Sequence, residues 1–239
     1  LMVSVCMPTY NGAQYLEAQV SSILIQLDNT DELIISDDGS IDDTLNVLLA
    51  FNDSRIKLFH ANTKSPIYNL ENALKQAEGD IIILSDQDDV WLNGRVEEIK
   101  KALADSDMVV TNGYIVNQKL VRDGATIFGK LQTNKRVINN LLRNTMVGCC
   151  MAFKKEVLQD VLPFPKKLPM HDQWIGMIGL LRYRVKLLDR PSILYRRHSS
   201  NASATGAKSK NSFSTKIRFR INIMMALLAF GLSLRKKNI

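Results

Sequence analysis

Cysteine is scarce, with Cys6, Cys149 and Cys150 the only three in 239 residues. The last two are neighbours, and adjacent residues rarely reach unstrained disulfide geometry. No CxxC and no His/Cys ligand spacing is present. These absences exclude a disulfide scaffold and a structural zinc module, and predict buried thiols in a reducing compartment. Long apolar runs are missing as well. The most apolar stretch, residues 223–234, falls short of the roughly 20 residues that span a bilayer. The opening Leu-Met-Val-Ser-Val-Cys-Met carries no basic lead and runs straight into a strand pattern, so no signal peptide is expected. Acidic side chains are absent from Arg190 to the end, where eleven Lys and Arg accumulate. The first 189 residues hold 20 basic and 24 acidic residues, a net of −4. A nucleic-acid binder would spread its positive charge over a folded face, so no nucleic-acid partner is expected. A basic tail on a slightly acidic domain points to an anionic surface instead.

What is present is an alternation of strand and helix patterns. Short apolar runs at residues 3–7, 33–36, 56–59, 81–84 and 108–111 read as buried strands. Helical spacing at residues 14–27, 42–49, 69–78 and 95–103 separates them. Strands alternating with helices of this length predict an α/β fold with a Rossmann-like, mostly parallel central sheet flanked by helices. In such sheets ligands bind beyond the C-terminal strand ends. Three groups of polar residues stand there: Thr9-Tyr10-Asn11, Asp37-Asp38 and Asp86-Gln87-Asp88-Asp89. Residues 112–135 are weakly patterned and rich in turn formers. Residues 137–142 suggest a short helix, 147–153 a strand, 171–182 a helix, and 185–188 and 193–195 two further strands. Residues 199–214 read as a mobile loop.

The acidic loop by itself reads either as a surface turn with helix-capping aspartates or as a ligand site, and as a ligand site it poses a physical problem. Three carboxylates within four residues, directly after a buried strand, repel one another. A hard divalent cation with oxygen ligands, Mg²⁺ or Mn²⁺, offsets that repulsion and fills its remaining positions with phosphate oxygens and water. Gln87 can reach a ribose hydroxyl. Asp37-Asp38 can accept the imide N–H of a uracil or thymine ring, or simply cap the next helix as an Asx-turn. Two acidic turns on adjacent strand ends are what a bridging nucleotide would require.

The ordered motifs Met7-Pro8-Thr9-Tyr10-Asn11, Ser36-Asp37-Asp38-Gly39-Ser40 and Leu84-Ser85-Asp86-Gln87-Asp88-Asp89-Val90-Trp91 resemble those of family 2 glycosyltransferases. The resemblance continues through Gly148-Cys149, His171-Asp172-Gln173-Trp174 and Tyr195-Arg196-Arg197-His198, and spans about residues 2–202. The Ser-Asp-Gln-Asp-Asp-Val-Trp form is similar to the rhamnosyltransferase-like branch. This resemblance implies a glycosyltransferase A-type fold and a nucleotide-sugar donor. It implies that Pro8, Thr9, Tyr10, Asn11, Asp37 and Asp38 hold the base and ribose, with Asp86, Gln87, Gly148, Arg196 and His198 around the sugar diphosphate. Asp86 and Asp88 correspond to the DxD pair, Asp88 being the first choice of metal ligand, with His198 beside it. Asp172 corresponds to the catalytic base. Many members carry Glu-Asp where this chain has His171-Asp172, which leaves the role of His171 open. A single carboxylate base and no second nucleophile imply inversion at the anomeric carbon. Trp91 and Trp174 either wall the sugar pocket or fill the core.

The resemblance divides the chain into a nucleotide-sugar-binding half at 1–112, an acceptor-binding and catalytic half of the same domain at 113–202, and a loop with a basic amphipathic C-terminal helix at 203–239. That helix lies on a membrane or packs on protein. The implied activity is transfer of rhamnose or another hexose from a dTDP- or UDP-sugar to a lipid-linked or polysaccharide acceptor in bacterial cell-surface glycan synthesis, at the cytoplasmic face of the membrane. The rival readings are a nucleotidyltransferase, which lacks its glycine-rich phosphate loop here, and a non-catalytic membrane-associated partner with a degenerate transferase domain.

Overall fold

The structure, a computed structural model, describes residues 1–198 and 212–237. The first half follows the expected alternation: β1 (Val3–Thr9), α1 (Ala13–Leu24), β2 (Glu32–Asp37), α2 (Thr44–Ala50), β3 (Ile56–His60), α3 (Pro66–Lys75) and β4 (Ile81–Leu84). Short β5 (Val90–Trp91) and α4 (Arg95–Leu103) come next. The second half holds β6 (Met108–Asn117), β7 (Arg122–Thr126), α5 (Ile127–Leu131), α6 (Val137–Leu142), a 3-10 turn (Gly148–Cys150), β8 (Met151–Lys154), α7 (Leu158–Val161), α8 (His171–Arg182), β9 (Val185–Arg197) and α9 (Phe213–Lys237).

One nine-stranded sheet runs in the order β3-β2-β1-β4-β8-β6-β9-β5, with β7 on β6. β1 and β4 are buried almost throughout because helices cover both sheet faces, which explains their unbroken apolar sequences. β1, β2, β3 and β4 are mutually parallel. β8 runs antiparallel to both β4 and β6, and β9 runs parallel to β6. Two reversals restore the direction, so β9 points the same way as β4. The C-terminal ends of β1, β2, β4 and β9, and the chain entering β8, therefore meet at one edge of the sheet.

Residues 112–135 are more ordered than their composition suggests. β6 continues to Asn117, and β7 and α5 follow. The alternating pattern breaks because the β6–β9 register shifts around Asn112. The Asn112 side chain fills the irregularity: its oxygen accepts from Gly113 N at 2.8 Å and Phe128 N at 3.0 Å, and its nitrogen donates to the Asp189 carbonyl at 2.9 Å. The two strands expected at 185–188 and 193–195 are accordingly one bent strand. Residue 112 lies inside β6, so a single sheet serves both halves of the chain. The strand expected from 147 starts only at Met151, after the 3-10 turn.

The C-terminal helix is longer than the apolar pattern indicates. Ile223 is fully buried, Ala226, Leu227 and Phe230 pack on the core, and Phe230 meets Trp174 edge-on with ring centres 5.9 Å apart. Most of the loop expected at 199–214 lies outside the described residues.

Candidate active site

The acidic loop is held rigidly from three sides. Gln19 Nε2 donates to Ser85 Oγ at 2.8 Å and to the Asp86 carbonyl at 2.7 Å. Gln87, expected to face a ribose, spends its amide on the backbone of Tyr10: its oxygen accepts from Tyr10 N at 2.9 Å and its nitrogen donates to Tyr10 O at 3.1 Å. Gly12 lies opposite it, where a Cβ would collide with Gln87 Oε1 and displace this amide. From β9, Arg196 donates its backbone N–H to Asp89 Oδ1 at 3.0 Å, Nε to the Asp88 carbonyl at 2.7 Å and Nη1 to the Gln118 carbonyl at 2.8 Å. Arg196 thus staples β9 to the loop through its backbone.

The same strand end delivers His198, whose Nε2 lies 2.7 Å from Asp88 Oδ2. Tyr15 of α1 stacks on the His198 ring at 4.7 Å between centroids, and the Arg196 guanidinium lies 4.9 Å from the centre of the same tyrosine. Sequence reasoning missed Tyr15, which at helical spacing looks like any other core aromatic.

Asp86 and Asp89 are poorly compensated. Burial, Asp88 and Asp172 push Asp86 up to about 7. Burial and the neighbouring Asp88 and Asp86 push Asp89 well above the ordinary carboxylate range. Among the described residues, Asp89 Oδ2 is buried without a hydrogen-bond partner. Ligating atoms of Asp86, Asp89 and Cys149 lie within 4.8 Å of one another. The two carboxylates of this group, one with an orphaned buried oxygen, fit a hard divalent cation, Cys149 Sγ is a softer donor, and His198 beside Asp88 adds a nitrogen donor suited to Mn²⁺.

Asp172 enters from the first turn of α8 and is buried. Its Oδ1 accepts from Gln173 N at 2.6 Å, and the Asn144 side chain also hydrogen-bonds it. Burial outweighs these donors and lifts it to about 7. Its charge reaches Asp86, so Asp172 and the acidic loop share one cluster. His171 is half-buried beside it, its buried Nδ1 without a partner among the described residues, and desolvation lowers it to about 4, keeping it neutral. Gly148, expected to admit the donor sugar, stands close against this ring: a Cβ there would lie 2.8 Å from His171 Nε2.

The second acidic pair builds turns. Asp37 is fully buried and accepts from Gly39 N, Ser40 N and Ser40 Oγ, with Thr9 Oγ1 at 3.3 Å. Asp38 accepts from Thr63 N at 2.6 Å, Thr63 Oγ1 at 3.0 Å and Ser65 N at 3.0 Å. A base imide would have to share an oxygen of Asp38 with these donors. Asn11 has a positive φ of 47° and locks the same turn, its N–H donating to Ser40 Oγ and its side chain accepting from Ile41 N. Pro8 and Thr9 end β1 against β2, and Tyr10 is exposed at this edge.

Arg95 was also missed. Its guanidinium is buried, lies 4.9 Å from the centre of the Trp91 ring, and donates to Thr111 Oγ1, Ser192 Oγ and the Cys149 carbonyl. A cation in the first turn of α4 opposes the helix dipole, and that misfit was the available signal. Trp91 and Trp174 are both core side chains, and Trp174 Nε1 donates to the Val161 carbonyl at 2.9 Å.

A family model described as glycosyl transferase family 2 matches residues 4–162. A UDP-Glc:alpha-D-GlcNAc-diphosphoundecaprenol beta-1,3-glucosyltransferase of Escherichia coli is 33% identical over 168 residues, covering 69% of this chain and 64% of that enzyme. A dTDP-rhamnosyl transferase of Shigella flexneri is 27% identical over 215 residues, covering 82% of this chain and 72% of its own. Among solved structures, residues 1–349 of Staphylococcus aureus TarS in complex with UDP-GlcNAc superpose with a TM-score of 0.72 at 21% identity, over 92% of this chain and 65% of that one. The chain therefore spans just under two thirds of the first and third of these proteins.

Proposed function

The chain belongs to glycosyl transferase family 2, and from that premise we propose that it transfers a hexose, rhamnose or glucose, from a dTDP- or UDP-sugar to an acceptor hydroxyl with inversion. The acceptor is lipid-linked or a growing polysaccharide of the bacterial cell surface. The relative from Escherichia coli is named for a diphosphoundecaprenol-linked acceptor and the one from Shigella flexneri for a dTDP-rhamnosyl donor, which supports both classes. The observation that carries the reading is the meeting of Asp88 with His198 at 2.7 Å in a cluster that also holds Asp86 and Asp172.

Asp88, His198 and Asp86 would hold the Mg²⁺ or Mn²⁺ ion. When bound, that ion stabilises negative charge on the departing diphosphate. The protein's own residues do the rest. Asp172, lifted to about 7, is half ionised near neutrality and takes the acceptor proton as the new bond forms. Gln173 N–H and Asn144 fix the orientation of its carboxylate. Neutral His171 beside it adds no charge that would suppress its basicity. Arg196 fixes the loop that carries Asp88, and Tyr15 fixes the ring of His198. Around the base, Tyr10 is exposed to receive a ring while Asp37 and Asp38 shape the turn beneath it. The C-terminal helix would keep the enzyme at the inner face of the membrane.

A thermal-shift panel of UDP- and dTDP-sugars with Mn²⁺ or Mg²⁺ tests this reading. One nucleotide series should stabilise the protein only when the metal is present. No stabilisation by any nucleoside diphosphate sugar would refute it.

A further inference from the structure

α9 is apolar on two sides. One side covers the domain through Ile223 and Phe230. The other exposes Ile221, Met224, Met225, Leu228 and Leu232. Two apolar sides on one helix both call for apolar cover, and the described residues cover only one of them. The exposed side adjoins α6, where Arg220 Nε donates to the Leu142 carbonyl at 3.1 Å. On α6, Ile138 is 70% exposed and Leu142 54% exposed. Adjoining exposed apolar surface of this kind marks an interaction site.

Charge says what kind. Residues 124–155 hold six Lys and Arg and no Asp or Glu, and residues 190–239 hold eleven and none. These two carboxylate-free segments contribute α6 and α9, which pack together. Lys135, Arg136 and Arg143 are exposed at the ends of α6, and Arg218 is exposed on α9. Apolar surface rimmed by cations is complementary to an acyl layer topped by anionic headgroups. No helix among the described residues is long and apolar enough to cross a membrane, so the face would lie on a bilayer rather than span it.

α6 is also tied to the catalytic base. Gln173 Nε2 donates to the Asn140 carbonyl at 2.8 Å and the Leu141 carbonyl at 3.2 Å, and Asn144, just beyond α6, hydrogen-bonds Asp172. We propose that α6 and α9 together form a docking face for an anionic lipid bilayer, and that docking brings the Asp172 side of the active site to the headgroup layer. A lipid-linked acceptor would meet the base there without leaving the membrane. This rests on the lipid-linked acceptor reading above and adds α6 as the part of the face that couples docking to catalysis.

The test is flotation of the full chain with vesicles of phosphatidylcholine alone or mixed with phosphatidylglycerol. Exposed positions are changed in pairs, Ile138→Glu with Leu142→Glu on α6 and Met225→Glu with Leu228→Glu on α9. Unaltered melting and nucleotide affinity certify the fold. The wild type should bind only the anionic vesicles, less so at high salt, and each pair should weaken binding about ten-fold or more. The α6 pair should also slow transfer to a vesicle-embedded acceptor while sparing donor hydrolysis in solution. If the α6 pair binds like wild type while the α9 pair does not, the role of α6 is overturned and the tail alone docks. A wild type that floats with neither vesicle overturns the whole inference, as does a dimer dissolved by these substitutions. Donor hydrolysis is read separately, so loss of docking and loss of the transferase reading remain distinguishable.

Discussion

Asp37 and Asp38 at the end of β2, and Asp86 to Asp89 beyond β4, present the same chemistry at the same edge of one sheet, yet they are treated in opposite ways. The first pair is saturated: backbone N–H groups and hydroxyls of residues 39, 40, 63 and 65 fill its oxygens. The second group crowds its charges, leaves Asp89 Oδ2 unpartnered among the described residues and raises Asp86 and Asp89. A saturated carboxylate builds the scaffold. A buried group left short of donors gains from an added positive charge, which is the part proposed above for Mg²⁺ or Mn²⁺.

The comparison can be broken most severely at the base. Asp172→Asn should lower turnover about a thousand-fold or more while nucleotide binding persists, as read by product release and calorimetry. Asp88→Asn or His198→Ala should weaken Mn²⁺ binding about a hundred-fold or more, measured by titration of the protein with the ion. Tyr15→Leu should cost about ten-fold in the same titration, and Tyr15→Phe should restore it, because the ring and not the hydroxyl stacks on His198.

Stability separates the two acidic groups by sign. In metal-free protein, Asp86→Asn should raise stability by about 1–3 kcal/mol at pH 8, since the folded form holds this acid at about 7 against an unfolded value near 3.8. The ionised carboxylate destabilises the fold fully above 7, so the gain shrinks as pH falls and vanishes near 4. Asp37→Asn should do the reverse and lower stability by about 1.5–3 kcal/mol, through loss of charge-assisted hydrogen bonds. Denaturant melts of the two variants at pH 8 would show opposite shifts. The smallest effect is on pH dependence. Activity should fall about ten-fold per unit below roughly pH 7 as Asp172 takes up a proton. A profile with no acid limb would remove Asp172 from the role of base.

Much of this edge was legible because parallel strands end where their apolar runs end, so Thr9, Asp37 and Asp86 could be placed from pattern alone. The other contributors were not legible from pattern, and His198 and Asp172 were named only through the family resemblance. His198 reaches Asp88 only because two antiparallel steps around β8 turn β9 to the direction of β4, and no local pattern encodes that reversal. The β6–β9 irregularity at Asn112 disguised one bent strand as two and made an ordered hairpin look like loop. Asp38 and Gln87 were expected at the ligand from their position; their partners within the fold, Thr63 and the Tyr10 backbone, come from distant segments that no local pattern joins to them. Arg95 left only its conflict with the helix dipole as a trace.

The most direct measurement is release of nucleoside diphosphate from UDP-glucose and dTDP-rhamnose, with Mn²⁺ or with EDTA, in wild type and in Asp172→Asn. The account predicts release from one of these donors with Mn²⁺, abolished by EDTA and nearly abolished by the substitution. Release that survives both EDTA and Asp172→Asn would contradict it.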